Sequence, residues 1–126
     1  MKAPKPVPTE QELEILKVIW TLGPSTVREV YLELAKHRKI AYTTVLTMMG
    51  ILERKGHLKK NAGEHAYIYR AAKPQAQVTA GMVKEFVNRV FNGSAKPLLV
   101  HLVEHQDISP EELSELQSLV EERRKK

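Results

Sequence analysis

Residues 41–56 read AYTTVLTMMGILERKG, a segment with an unusual combination of threonine, methionine and glycine. Apolar residues recur in it at helical spacing, with Val45, Met48, Met49 and Leu52 at i, i+3, i+4 and i+7. Threonine and glycine each cost a helix roughly 0.5–1 kcal/mol relative to alanine. The spacing therefore predicts a helix that ends near Gly56, and the composition indicates that one face of it serves something other than the core.

A helical wheel places the residues opposite this apolar stripe together on one outward face. These outward residues are Thr43, Thr47, Gly50 and Arg54, with Thr44, Leu46 and Ile51 on the flanks. Threonine hydroxyls bond phosphates or base edges, and methyl groups contact the thymine methyl. A glycine permits close approach of the backbone. The face is suited to the major groove of DNA, and the alternative is a helix buried on both sides.

Local signals place this helix third in a small domain. Capping boxes at Thr9–Glu12 and Thr26–Glu29 predict the starts of two earlier helices, and Gly23-Pro24 ends the first of them. Residues 58–61 and 65–70 have the pattern of two short strands around a turn. Three helices followed by a β-hairpin predict a winged helix-turn-helix.

Three more helices are expected after the boundary at Lys73-Pro74, the last of them opened by a capping box at Ser109–Glu112. Their apolar side chains are too many for so short a segment to bury alone, so we expect a second copy to cover them. The expected dimer interface comprises Val83, Phe86, Val87, Val90, Phe91, Leu98, Leu99, Leu102, Val103, Leu113, Leu116, Leu119 and Val120.

The predicted fold is thus mostly α. We expect a flexible N-terminal arm over residues 1–8, a winged-helix DNA-binding domain over 9–73 and a three-helix dimerisation region over 74–126.

The net charge of +5 lies entirely in the first part of the chain. Residues 1–72 contain twelve Lys and Arg against seven Glu, whereas residues 73–126 contain eight basic and eight acidic residues. A basic part joined to a neutral part favours a polyanion-binding unit fused to another function.

Composition also excludes several classes of protein. The chain has no cysteine, which fits a reducing cytoplasm. Its longest uncharged run, residues 40–52, is too short to span a bilayer, and the first ten residues contain no apolar signal-peptide core. No nucleophile–base pair or phosphate-binding loop is evident. We therefore expect a cytoplasmic protein that is not an enzyme and uses no cofactor or metal.

With these motifs the chain resembles the penicillinase-repressor family of bacterial winged-helix repressors (the BlaI/MecI type). PTEQELEILKVIW resembles the family's first helix, AYTTVLTMMGILERKG its recognition helix, HAYIYRA its wing, and FNGSAKPLLV the junction between dimerisation helices. The resemblance implies a homodimer that binds a palindromic DNA operator and represses transcription.

The resemblance also implies roles for individual residues, which we combine with the wheel and the basic flanks. The expected base contacts are Thr43, Thr44, Leu46, Thr47 and Gly50. The expected phosphate contacts are Ser25, Thr26, Tyr42, Arg54, Lys55, Lys59 and Lys60.

Three departures from the family pattern bear on regulation. Members relieved by a sensor protease are cut at an Asn-Phe bond, and the matching pair here is His101-Leu102, which argues against that protease as a partner. The copper-responsive branch has a cysteine-rich tail, which this cysteine-free chain lacks. Gly50 stands where relatives usually carry a larger polar residue, so the operator is expected to differ.

Two alternative functions remain open from sequence. His101, Glu104 and His105 fit an H-x-x-E-H pattern, and the two histidines share one helix face, as in a metal-responsive regulator. Tyr67 and Tyr69 in the hairpin are the aromatic residues expected of a winged-helix module for RNA or protein contact, although packing against the helices also explains them.

Overall fold

The computed structural model describes residues 7–126, so most of the expected N-terminal arm lies outside the described residues. For the last two residues of this arm the expectation of flexibility is wrong, because Pro8 is buried and Val7 is half-buried. The carbonyl oxygen of Val7 accepts a hydrogen bond from Lys55 Nζ at 3.3 Å. Residues 7 and 8 are therefore part of the folded unit.

Three helices form the first part of the structure: α1 (Glu10–Leu22), α2 (Val27–Ala35) and α3 (Tyr42–Arg54). Both predicted capping boxes are present, with Thr9 bonded to Glu12 and Thr26 to Glu29 in both directions. Gly23 ends α1 with a φ of 88°, and Gly56 follows α3 with a φ of 85°, a conformation that favours glycine.

A β-hairpin follows α3, with β1 (Leu58–Ala62) antiparallel to β2 (Tyr67–Ala71). The second strand begins two residues later than predicted, because Gly63 N–H donates to Ala66 O at 2.9 Å and closes the turn over 63–66. Ser25 and Tyr69 exchange both backbone hydrogen bonds, at 2.9 and 2.8 Å. This bridge fastens the hairpin to the residue before the cap of α2.

One apolar core joins these elements. Val45, Met49 and Leu52 of α3 are fully buried, and Met48 packs at the edge. The rest of the core consists of Ile15, Leu16, Ile19, Val27, Val30, Leu34, Leu58, Tyr69 and Val78. The sequence prediction of a mostly helical winged-helix fold is confirmed.

The C-terminal helices are α4 (Gln75–Val90), α5 (Ala95–His105) and α6 (Pro110–Arg124). The chain divides into two compact units between Glu85 and Phe86, later than the boundary expected at Lys73-Pro74. The first unit extends this far because Val78 is buried in its core and Met82 packs against it. Trp20 Nε1 also donates to the carbonyl of Lys73 at 3.1 Å.

The second unit, residues 86–126, has almost no buried interior. No residue of α5 or α6 is buried, and only Val87 of the described residues in this unit is. Among its exposed apolar side chains are Phe86, Val90, Leu99, Val100, Leu102, Val103, Leu113, Leu116, Leu119 and Val120. Over residues 7–126, no helix has the length and apolar character to cross a membrane.

Candidate nucleic-acid interface

Helix α3 presents an exposed polar face opposite the core. Its outward residues include Thr43, Thr44, Thr47 and Arg54, all exposed, and Gly50, which is partly exposed. Leu46 is 45% exposed, an unusual position for a leucine that serves only the fold. The orientation predicted from the wheel is confirmed, and the five proposed base contacts lie together on one surface.

The start of α3 has no side-chain cap. Its N-cap residue is Ala41, whose methyl side chain cannot accept a hydrogen bond from the first turn. Tyr42 opens the helix and packs edge-on against Tyr31 of α2, with ring centroids 5.7 Å apart. The first turn therefore has uncapped backbone N–H groups, the usual means by which a helix N-terminus binds phosphate oxygens.

A groove of about 370 Å³ separates the start of α3 from the hairpin. It is lined by Thr26, Val27, Arg28, Tyr42, Leu46, Ala66, Tyr67 and Tyr69. Arg28 is exposed and supplies positive charge at the groove, close to the N-terminus of α2. Arg28 was not predicted from sequence as a contact, although its place two residues after the N-cap Thr26 was the available signal.

The hairpin forms a basic wing. Lys59 and Arg70 are exposed and lie directly opposite each other in the strand register. Like charges in that position destabilise a sheet, and a bound anion relieves the repulsion. Arg70 was also missed from sequence, because its pairing with Lys59 depends on the exact register of the hairpin.

Lys60 of the wing has two neighbours of its own. Its Nζ lies 3.6 Å from Glu53 Oε1 and 4.5 Å from the centroid of the Tyr67 ring. Glu53 is the single carboxylate in the sequence of α3, and this contact partly offsets its charge. A phosphate at Lys60 would compete with this carboxylate for the ammonium group.

Two expected phosphate contacts do not fit the structure. Ser25 is 1% exposed, and its Oγ donates to the carbonyl of Gly23 at 2.8 Å. Lys55 Nζ lies 2.6 Å from Glu12 Oε1, and the two side chains are only 6% and 7% exposed. These expectations are wrong because tertiary contacts bury both side chains. Thr26 remains half-buried at the groove, with its hydroxyl engaged as the cap of α2.

The histidine pair of α5 is exposed. The rings of His101 and His105 are 4.7 Å apart between centroids, and His105 Nε2 lies 4.0 Å from Glu104 Oε2. In the part of the chain that the structure describes, no group of three His, Cys, Asp or Glu is placed to hold a metal ion. The structure therefore provides two neighbouring imidazoles without a third ligand.

Comparison with known proteins agrees with this architecture. The family model of the penicillinase repressor matches residues 8–122. The chain belongs to the penicillinase-repressor family. Because this family consists of transcriptional repressors, the expectation that the chain is not an enzyme is confirmed.

Relatives in the penicillinase-repressor family match over most of their length. The chain is 29% identical to the penicillinase repressor of Bacillus licheniformis, covering 90% of this chain and 89% of that protein. It is 32% identical to the transcriptional regulator BlaI of Mycobacterium tuberculosis, over 74% of this chain and 69% of that protein.

A solved structure supports the fold alone. The structure of a MarR family protein from Bacillus stearothermophilus matches with a TM-score of 0.50 and 16% identity. The match covers 93% of this chain and 73% of the other.

Proposed function

We propose that this member of the penicillinase-repressor family is a DNA-binding transcriptional repressor that acts as a homodimer on a palindromic operator. The observation that carries the proposal is the outward face of α3, where threonines and a glycine are exposed beside a leucine. Such a face offers hydroxyl groups for base edges and methyl groups for thymine. A helix face that contacts only water does not require this combination of residues.

In this proposal α3 lies in the major groove and contacts bases through Thr43, Thr44, Leu46, Thr47 and Gly50. Its proposed phosphate contacts surround this face: Thr26, Arg28, Tyr42, Arg54, Lys59, Lys60 and Arg70. Arg28 at the groove beside α3 and the basic residues of the wing have charge complementary to a DNA strand. Ser25 and Lys55 are left out because they are buried.

The homodimer is supported by the apolar surface of the second unit. Side chains such as Leu99, Val103 and Leu119 are more than half exposed in the single chain. Leaving so many large apolar groups in water is costly, and a second copy would bury them. A two-fold symmetric dimer contacts two related half-sites, so the operator should be palindromic with half-sites about one helical turn apart or a multiple of it.

The resemblance to protease-relieved family members does not extend to the residues of their cleaved bond. His101-Leu102 occupies the place of their cleaved Asn-Phe pair. The proposal therefore includes no cleavage at this bond.

Selection of bound duplexes from a random pool tests the proposal. We expect recovery of an inverted repeat, bound with much higher affinity than random duplex DNA. A competition gel shift with single-stranded RNA of the same sequence distinguishes the RNA-binding alternative. Preference for the single strand, or recovery of sequences without a repeat, would contradict the proposal.

A further inference from the structure

Gly50 lies in the interior of α3, where the backbone does not require a glycine. The glycines with positive φ in the described chain are Gly23, Gly56 and Gly93, and Gly50 is not among them. Its conformation is an ordinary right-handed helical one, which alanine adopts more readily. Backbone geometry therefore does not explain the residue.

Packing within the chain does not explain it either. Among the described residues 7–126, a Cβ atom built on Gly50 would meet no heavy atom of another element within 4 Å, so the position is open. By contrast, the hairpin residue Gly63 would place its Cβ 2.5 Å from Ala66 O. Gly50 thus weakens the helix, and no close contact in the part of the chain that the structure describes compensates for this.

The neighbours of Gly50 indicate that the missing side chain serves the outward face of α3. Thr47 and Arg54, one turn away on either side along α3, are both exposed on the same outward face. A missing side chain in the middle of such a face creates a shallow depression, where the helix backbone can come close to whatever the face contacts.

We infer that Gly50 is a specificity-determining residue, whose missing side chain allows α3 to sit close to the base edges of the operator. This inference rests on the proposed function, because it requires α3 to lie in the major groove. A Cβ at this position would hold the helix away from the bases, weaken the contacts of Thr47, and shift the preferred sequence.

The variant Gly50→Ala tests the inference because two effects of opposite sign are expected. The melting temperature should rise by a few degrees, since alanine favours the helix. Affinity for the selected operator should fall at least tenfold, with affinity for random duplex DNA changed less than twofold. Selection from a random pool with the variant should recover a different half-site, and Gly50→Ser should weaken operator binding similarly.

Gly81 provides the matched control. It is also a helical glycine with an ordinary φ, and among residues 7–126 its Cβ would meet only Val7 Cγ1, at 3.9 Å, a normal van der Waals contact. Gly81→Ala should also raise the melting temperature, without changing operator affinity or the selected sequence.

Failure of the inference is distinguishable from failure of the proposed function. If the wild type binds a palindrome and Gly50→Ala binds the same palindrome equally well, the inference is wrong and the proposed function stands. If the wild type shows no preference for any duplex, both are wrong.

Discussion

Lys55 Nζ lies 2.6 Å from Glu12 Oε1, which ties the end of α3 to the start of α1. The same carboxylate oxygen accepts a hydrogen bond from Thr9 N–H at 3.0 Å as part of the capping box. One buried carboxylate therefore fixes both helix ends. This arrangement sets the position of α3 relative to the rest of the first unit.

We expect Lys55→Met to destabilise the protein by about 3 kcal/mol, because removing one partner leaves a buried charge without its counter-ion. Methionine retains most of the volume of the lysine stem, so loss of packing contributes little. Chemical denaturation measures the change in the free energy of unfolding.

The matched control for this variant is Lys59→Met on the exposed wing. It should change the free energy of unfolding by less than about 0.5 kcal/mol. If Lys55→Met were as stable as the wild type but bound all DNA more weakly, Lys55 would be a phosphate contact after all.

Lys55 also shows the limit of prediction from this sequence. The helical spacing of Val45, Met49 and Leu52 is local information, and it sufficed to orient α3 correctly. The partner of Lys55, Glu12, is 43 residues away in sequence. From sequence, Lys55 was therefore interpreted as one of several exposed basic residues. No local pattern indicated that it is buried.

The hairpin also contains a feature that depends on contacts between distant parts of the sequence. Alternation predicted two strands, but the backbone bridge between Ser25 and Tyr69 joins distant parts of the chain. That bridge buries Tyr69, whereas Tyr67 on the same strand remains 53% exposed at the groove. Packing of the wing thus explains Tyr69, whereas Tyr67 is exposed at the groove.

Thr47→Ala should weaken binding to the operator by about 1–3 kcal/mol and leave binding to random duplex DNA nearly unchanged. The hydroxyl is exposed on the outward face of α3, where we propose that it contacts a base edge. Gel shifts on both duplexes measure the two affinities, with Thr21→Ala in α1 as an exposed control. Equal losses on the two duplexes would show that Thr47 contacts the DNA backbone instead.

Two adjacent wing lysines should differ in their effect on DNA binding. Lys59→Ala should lower affinity for every sequence and reduce the slope of log K against log salt by about 1. Lys60→Ala should have a smaller effect, because Lys60 is already 3.6 Å from Glu53 and loses that contact when it binds a phosphate. Titrations at several salt concentrations measure both slopes.

Glu53→Gln completes this comparison. Removing the carboxylate releases Lys60 and reduces repulsion of phosphate, so affinity for all duplexes should rise. If Lys60→Ala had the larger effect of the two lysine variants, or if Glu53→Gln weakened binding, the contact between Lys60 and Glu53 would not compete with DNA.

Leu119→Glu should convert the dimer to a monomer, because Leu119 is 61% exposed on α6 and a charge there would be buried in the proposed interface. The first unit has its own apolar core and should stay folded in the variant, so any loss of helical circular dichroism should be confined to the second unit, whose helices α5 and α6 have no buried residue of their own. Gln117→Glu, on the polar side of α6 beside Ser114 and Glu121, is the matched control and should remain dimeric. Sedimentation at micromolar concentration distinguishes the two states. A wild type that sediments as a monomer would refute the homodimer, and a Leu119→Glu variant that stays dimeric would place the interface elsewhere.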